Sequence, residues 1–210
     1  SSDGRDRRTV RQATGEAERR WLWSGQLMAV AELDAGDAVT SRFVYATRTN
    51  VPDYLVRGGI TYRILTDQLG SPRLVIDATT PGLTISQRVA QQLEHDEFGN
   101  VTTDLVAPGF TRLPFGFAGG LDDPRTGLVR FGARDYDPVV GRWTAKDPIG
   151  FGGGSGNLFE YSQMDPVNLT DPSGRTSTLA DQASAQGLGL ALGGAAAQAE
   201  EGGARSAGRL

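Results

Sequence analysis

Five aspartates are each followed by proline: Asp123, Asp137, Asp147, Asp165 and Asp171. Two of the pairs run on to a glycine, as Asp147-Pro148-Ile149-Gly150 and Asp171-Pro172-Ser173-Gly174. A carboxylate can take or give a proton. Asp-Pro also initiates turns, and Asp123, Asp137 and Asp165 are read as turn residues. Other chemistries are restricted by residue type. There is no cysteine, hence no disulfide and no Cys-based zinc site. His95 is the single histidine, so a multi-His metal centre cannot be built and a Ser-His-Asp triad would rest on His95 alone. It sits beside a turn and reads as a solvent-facing hairpin residue. Acidic, glycine-rich turns suggest calcium, but no Asp-x-Asp-x-Asp-Gly loop is present. Trp21, Trp23 and Trp143 could make a sugar-stacking face, and sheet-face packing is the preferred reading. Neither a metal nor a cofactor is expected.

The chain has 210 residues, enough for one domain or one and a half. Glycine is the outlier, with 29 residues, twice the usual share of about 7%. It follows no period of three, and only 10 prolines accompany it. Glycine is therefore placed in turns, and with 8 Phe, 5 Tyr and 3 Trp it points to short strands. No run of about 18 apolar residues exists, so no membrane-spanning helix is expected. No signal peptide opens the sequence. The net charge is -4, which does not favour nucleic-acid binding.

Residues 1–19 are polar, lack an apolar stripe and are read as a frayed lead-in. From Arg20 short β-like runs recur, each closed by a turn signal. They are Trp21 to Trp23, Leu27 to Leu33, Arg42 to Tyr45, Thr61 to Leu65, Arg73 to Ile76, Ile85 to Val89, Val101 to Val106 and Leu128 to Phe131. Turns every 10–15 residues or so, with little helical periodicity, predict an all-β chain of antiparallel hairpins. Asp67 to Ser71 and Asp96 to Asn100 share the order Asp, any residue, apolar, Gly, polar. Asp135-Tyr136-Asp137 to Gly141-Arg142 states the theme more fully. Aspartate opens such a turn through its side-chain acceptor, and glycine supplies the positive φ that closes it. One hairpin cannot bury a core, so the repeats must stack. Gly152-Gly153-Gly154-Ser155-Gly156 reads as a flexible loop, followed by a helical turn capped by Asn157. The last 35 residues carry no aromatic, His or Lys and read as a disordered tail or effector stub over 176–210.

Residues 127–175 closely resemble the RHS repeat-associated core domain. The resemblance lies in Gly-Leu-Val-Arg-Phe-Gly-Ala-Arg-Asp-Tyr-Asp-Pro-Val-Val-Gly-Arg-Trp from Gly127, in the two Asp-Pro-x-Gly boxes, and in Asn157-Leu158-Phe159-Glu160-Tyr161 between them. Asp67 to Val75 and the Tyr-Asp-like turns resemble the same Rhs/YD-repeat family, so the likeness runs from about Arg20 to Arg175. It implies a YD-repeat β-shell segment over 20–126 and a loop-rich core-associated closing segment over 127–175, with at most short helical turns. It also implies a job. The shell encloses a C-terminal effector, and the closing segment plugs the shell and cuts the chain after the second box. Implied partners are the upstream shell of the same parent protein, the effector and a delivery machinery. The implied location is secreted or cell-surface delivered.

In the family the cut is attributed to two aspartates, which map here to Asp147 and Asp171. Two carboxylates held close tend to share one proton. One can then act as base towards water while the other donates to the carbonyl oxygen. The scissile bond maps to Arg175-Thr176, with Arg134 favoured over Arg142 to position a carboxylate or stabilise the oxyanion. The family usually has leucine where this chain has Arg175, and a guanidinium in a leucine-shaped site needs a partner. Thr176 or Ser177 as an internal nucleophile is the competing route. A shell segment that does not cut, structural or adhesive as in teneurin-like members, is the competing function.

Overall fold

The computed structural model describes residues 1–12, 15 and 17–179. Among them, nine strands form one antiparallel sheet in which every strand pairs with its neighbour in sequence. They are β1 (Val10–Arg11), β2 (Arg19–Ser24), β3 (Met28–Leu33), β4 (Val39–Val44) and β5 (Tyr54–Arg57). β6 (Ile60–Thr66), β7 (Pro72–Asp77), β8 (Val89–His95) and β9 (Val101–Val106) complete it. A second sheet follows, of β10 (Leu121–Asp123), β11 (Leu128–Phe131), β12 (Arg134–Asp137) and β13 (Arg142–Trp143). A two-stranded ladder joins β14 (Leu169–Thr170) to β15 (Thr178–Leu179). The helical content is slight: α1 (Ile85–Arg88) and three isolated 3-10 turns. The chain is all-β, as its turn spacing predicts. No helix of the described residues is long and apolar enough to cross a membrane.

Alternation puts one side chain from each of seven successive strands on the same face of the large sheet. Trp21, Ala29, Phe43, Leu55, Ile64, Val75 and Ala90 form this buried stripe, one each from β2 to β8. Leu113, Phe115 and Leu121 cover it, with the Phe115 ring edge-on to Phe43 at 5.1 Å. The chain therefore crosses back over the sheet after β9. Buried side chains fix that crossing. Gln91 Oε1 accepts from the Leu113 N–H at 2.9 Å, and Ser71 Oγ accepts from the Ala118 N–H at 2.9 Å. Asn50 Nδ2 donates to the Ala118 carbonyl at 2.8 Å. The crossing delivers the chain to a second, aromatic core of Phe117, Phe131, Tyr136, Trp143 and Tyr161 with Leu69, Ala118 and Val129.

One turn recurs at Asp3, Asp34, Asp67 and Asp96. In each, Oδ1 accepts from the N–H groups two and four residues on, at 2.8 to 3.1 Å. The third residue on takes a positive φ: Asp6 at 62°, Asp37 at 63°, Gly70 at 94° and Gly99 at 93°. Only the last two are glycine, because aspartate also tolerates the left-handed region.

Three expectations are corrected. Residues 1–11 do not fray: Ser2 bridges Arg8 and β1 pairs with β2. Arg8 and Arg11 reach the second sheet, at 3.2 Å from Asp135 and 2.9 Å from Asp123. The segment is held by backbone pairing and ion pairs, so no apolar stripe marked it. Ile85 to Val89 is not a strand. Thr84 and Gln87 form a capping box that winds residues 85–88 into one helical turn, and the strand begins at Val89. Asn157 caps a turn, not a helix, accepting from the Phe159 N–H at 3.2 Å. The predicted disordered tail or effector stub falls, from residue 180 on, outside the described residues.

At Gly99 a methyl group would stand 2.5 Å from the Phe117 ring, on a backbone at φ 93°. Gly99→Ala should therefore cost at least about 2 kcal/mol of unfolding free energy in urea titration. Burial alone would raise the Asp96 carboxyl pKa. The Asn100 amide and the backbone N–H groups outweigh it and hold the pKa below the ordinary value. That contribution is present above the ordinary carboxylate range and lost as pH falls through the lowered folded value. Asp96→Asn should thus destabilise the chain at neutral pH, and the difference from the parent should shrink as the pH drops below about 4.

Candidate functional site

Arg134 opens β12, where a guanidinium would ordinarily reach solvent. Here its side chain is only 4% exposed. The Arg134 guanidinium stacks on the Trp143 ring at 4.2 Å from the centroid. Its other contacts use the fork. Nε donates to the Gly174 carbonyl at 2.6 Å and Nη1 to the Leu158 carbonyl at 3.3 Å. Nη2 lies 3.0 Å from Asp147 Oδ2 and 3.2 Å from Asp171 Oδ2. Burial lowers the Arg134 pKa, and attraction first from Asp147 and then from Asp171 opposes that. The guanidinium remains a cation at neutral pH.

Both aspartates are placed by the same turn chemistry that builds the hairpins. Asp147 Oδ1 accepts from the Ile149 N–H at 2.9 Å, and its carbonyl accepts from Gly150 at 3.0 Å. Asp171 Oδ1 accepts from the Arg175 and Thr176 N–H groups, both at 3.0 Å, and from the Ser173 hydroxyl at 2.9 Å. In each residue Oδ1 serves the turn and Oδ2 faces Arg134. Asp171 is 1% exposed. One guanidinium nitrogen thus lies between the two acids and contacts both.

The Arg175-Thr176 peptide lies against this cluster. Its nitrogen is bonded to Asp171. Its carbonyl oxygen and Asp147 both line Gly153: a methyl there would stand 2.8 Å from Asp147 Oδ2 and 3.1 Å from the Arg175 carbonyl oxygen. The absence of a side chain at Gly153 lets its backbone pack close to both. A cleft beside Arg134, Asp147, Gly153, Asp171 and Arg175 has about 20 Å³ of room for a water's centre, enough for one water.

The structure thus brings together Arg134, Asp147, Asp171, Arg175 and Thr176. Arg142 is exposed on β13 and stands apart from the cluster's contacts. The Arg175 guanidinium enters no apolar site; it pairs with Asp6 Oδ2 at 2.7 Å. Sequence reasoning missed Gly153, read as part of a flexible loop, and the ring of Trp143 beneath Arg134. Only the placing of glycines between the two boxes hinted at the first. Trp21 and Trp143 are buried in the two cores, which removes the sugar-stacking reading. His95 is not solvent-facing: it is half-buried beside Phe117, and burial pushes its pKa down. No cluster of metal-ligating side chains exists among the described residues.

A meander of hairpins closed by an aromatic-packed second sheet defines a β-shell of the YD-repeat kind. The Teneurin YD-shell family matches residues 2–167, and the chain belongs to that family. Double-stranded DNA deaminase toxin A of Burkholderia cenocepacia is 34% identical over 146 residues, which are 69% of this chain and 9% of that protein. Teneurin-3 of Danio rerio is 32% identical over 123 residues, 54% of this chain and 4% of that protein. The chain thus spans less than a tenth of either relative. The crystal structure of TcdB2-TccC3 without its hypervariable C-terminal region shares the fold, with a TM-score of 0.56 at 21% identity. That match covers 82% of this chain and 9% of that one. A Photorhabdus luminescens Tc holotoxin pore matches with a TM-score of 0.55 at 20% identity, over 84% of this chain and 9% of that one.

Removing the cation should expose what it compensates. Arg134→Gln leaves two buried carboxylates unpaired and should cost about 3–5 kcal/mol in urea denaturation. Arg134→Lys keeps the charge but not the fork, and should recover only part of that loss.

Proposed function

We propose that this chain is the closing end of an Rhs-type toxin-encapsulating shell and cuts itself once between Arg175 and Thr176. The parent protein would supply the upstream YD-repeat shell and a C-terminal effector. A delivery machinery would carry the whole as a secreted or cell-surface delivered particle. The observation that carries the reading is the contact of Asp171 Oδ1 with the Thr176 N–H, beside Asp147 Oδ2 and a buried Arg134. One group of each kind needed for amide hydrolysis then adjoins the bond.

In this mechanism Asp147 takes a proton from water as the water oxygen bonds to the Arg175 carbonyl carbon. The carbon–nitrogen bond breaks, and the Thr176 nitrogen takes up a proton carried by Asp171. Asp147 returns its proton to the pair, so one water is consumed and neither carboxylate is. The products are an acid end at Arg175 and an amine end at Thr176. Arg134 touches both carboxylates and the Gly174 carbonyl, which suits a positioning role. The strain-tolerant turns and the packed aromatic core hold these groups without a moving part.

The test is the intact mass of freshly expressed chain at neutral pH, since Asp-Pro bonds hydrolyse in acid. The parent should show a break at Arg175-Thr176. Asp147→Asn and Asp171→Asn should stay whole, and Thr176→Ala should still be cut. Cutting blocked by Thr176→Ala but not by the aspartate changes would overturn the dyad in favour of the internal nucleophile. A single uncut mass throughout would favour the non-cleaving structural or adhesive shell.

A further inference from the structure

We infer that Asp6 is a positioning and specificity residue for the cut, holding the Arg175 side chain so that cleavage is fastest when the N-terminal loop is docked. This rests on the cutting reading proposed above. Arg175 stands at the bond that reading assigns, and its main chain is fixed by the Asp171 contacts. Its side chain is fixed at the far end by Asp6, 2.7 Å away and 169 residues distant in sequence. A residue held at both ends has less freedom to carry its carbonyl away from Asp147.

Asp6 is itself anchored. It occupies the left-handed position of the Asp3 turn, with φ 62° and its N–H on the Asp3 carbonyl at 3.0 Å. Its carbonyl accepts from Arg130 Nη2 at 3.1 Å, and Arg130 Nη1 lies 3.1 Å from Asp135 Oδ2, beside Arg134 in sequence. The loop that carries Asp6 leads into β1, the outermost strand on its side of the large sheet. Arg175 thus contacts the loop before β1 at one end and the reacting groups at the other. The pair answers the question of what an arginine does where leucine is usual: the acid it needs comes from the N-terminal loop.

Both members are exposed, at 41% and 48% for the side chains. The attraction is therefore modest and screened by salt. Removing it should slow cutting about threefold, the scale of an exposed ion pair.

The test follows cutting in a cell-free synthesis of the full chain at neutral pH by intact mass. Four chains are compared: the parent, Asp6→Asn, Arg175→Leu and the double variant. Asparagine tolerates the left-handed backbone, so Asp6→Asn removes charge and keeps the turn. The expected result is about a threefold slower cut for Asp6→Asn in the parent and no effect of Asp6→Asn when residue 175 is leucine. Raising the salt should slow the parent and leave Asp6→Asn unchanged. Equal rates for the parent and Asp6→Asn overturn this inference alone. So does equal slowing in the leucine background, which would mean that Asp6 acts only through the fold. A parent that stays whole while folded overturns the cutting reading and this inference with it.

Discussion

A carboxylate has two oxygens, and the two aspartates at the centre of this chain use theirs separately. Oδ1 of Asp147 and of Asp171 is committed to N–H groups of its own turn. Oδ2 of each is turned to Arg134, whose single Nη2 lies 3.0 and 3.2 Å away. The turn fixes the direction of the side chain, so the geometry of the site follows from backbone geometry. The cation then draws both acids to one nitrogen and offsets the cost of burying them. Remove it and the two Asp-Pro-x-Gly boxes lose the group at which they meet.

The rest of the structure brings those boxes within reach. The large sheet lays down its apolar stripe, and the crossing through Leu113 and Phe115 covers that stripe and carries the chain to the second sheet. Tyr136 ties the two regions, its hydroxyl donating to the Phe98 carbonyl at 2.7 Å across the Asp96 turn. The Ala133 N–H donates to the Ser173 carbonyl at 3.0 Å, which sets the second box beside β12. Aspartate-led turns thus close the hairpins of the large sheet and, in variant form, fix the two acids.

What could be read in the sequence was what local chemistry decides. The Asp67 and Asp96 turns were legible because aspartate and glycine at fixed offsets suffice to specify them. In the large sheet β2, β3, β4, β6, β7 and β9 were legible from alternation between turns, and in the second sheet β11 was. Tyr54–Arg57 was not, being short and crowded by the Val51 to Asp53 corner that precedes it. Ile85 to Val89 misled because its β-branched residues flank a capping box that acts over only three residues. The two aspartates and Arg134 were singled out from a resemblance, and their meeting was not legible from spacing, since Arg134 and Asp171 are 37 residues apart. Gly153 looked like slack chain because nothing local records that Asp147 and the Arg175 carbonyl both pack against it. The docking of residues 1–11 was hidden for the same reason: Asp123 and Asp135, which hold it, lie more than a hundred residues away.

The central claim is that Arg134, with Nη2 on both carboxylates and Nε on the Gly174 carbonyl, sets the two acids beside the Arg175-Thr176 bond in a way that a positive charge alone does not. The most direct test is a time course of intact mass, with N-terminal sequencing of any product, for newly made parent and Arg134→Lys chains at neutral pH. Both must first be shown folded by their unfolding transitions. The account predicts that the parent yields a piece beginning at Thr176 while Arg134→Lys, charged but forkless, remains whole. Equal rates of cutting in the two folded chains would contradict it.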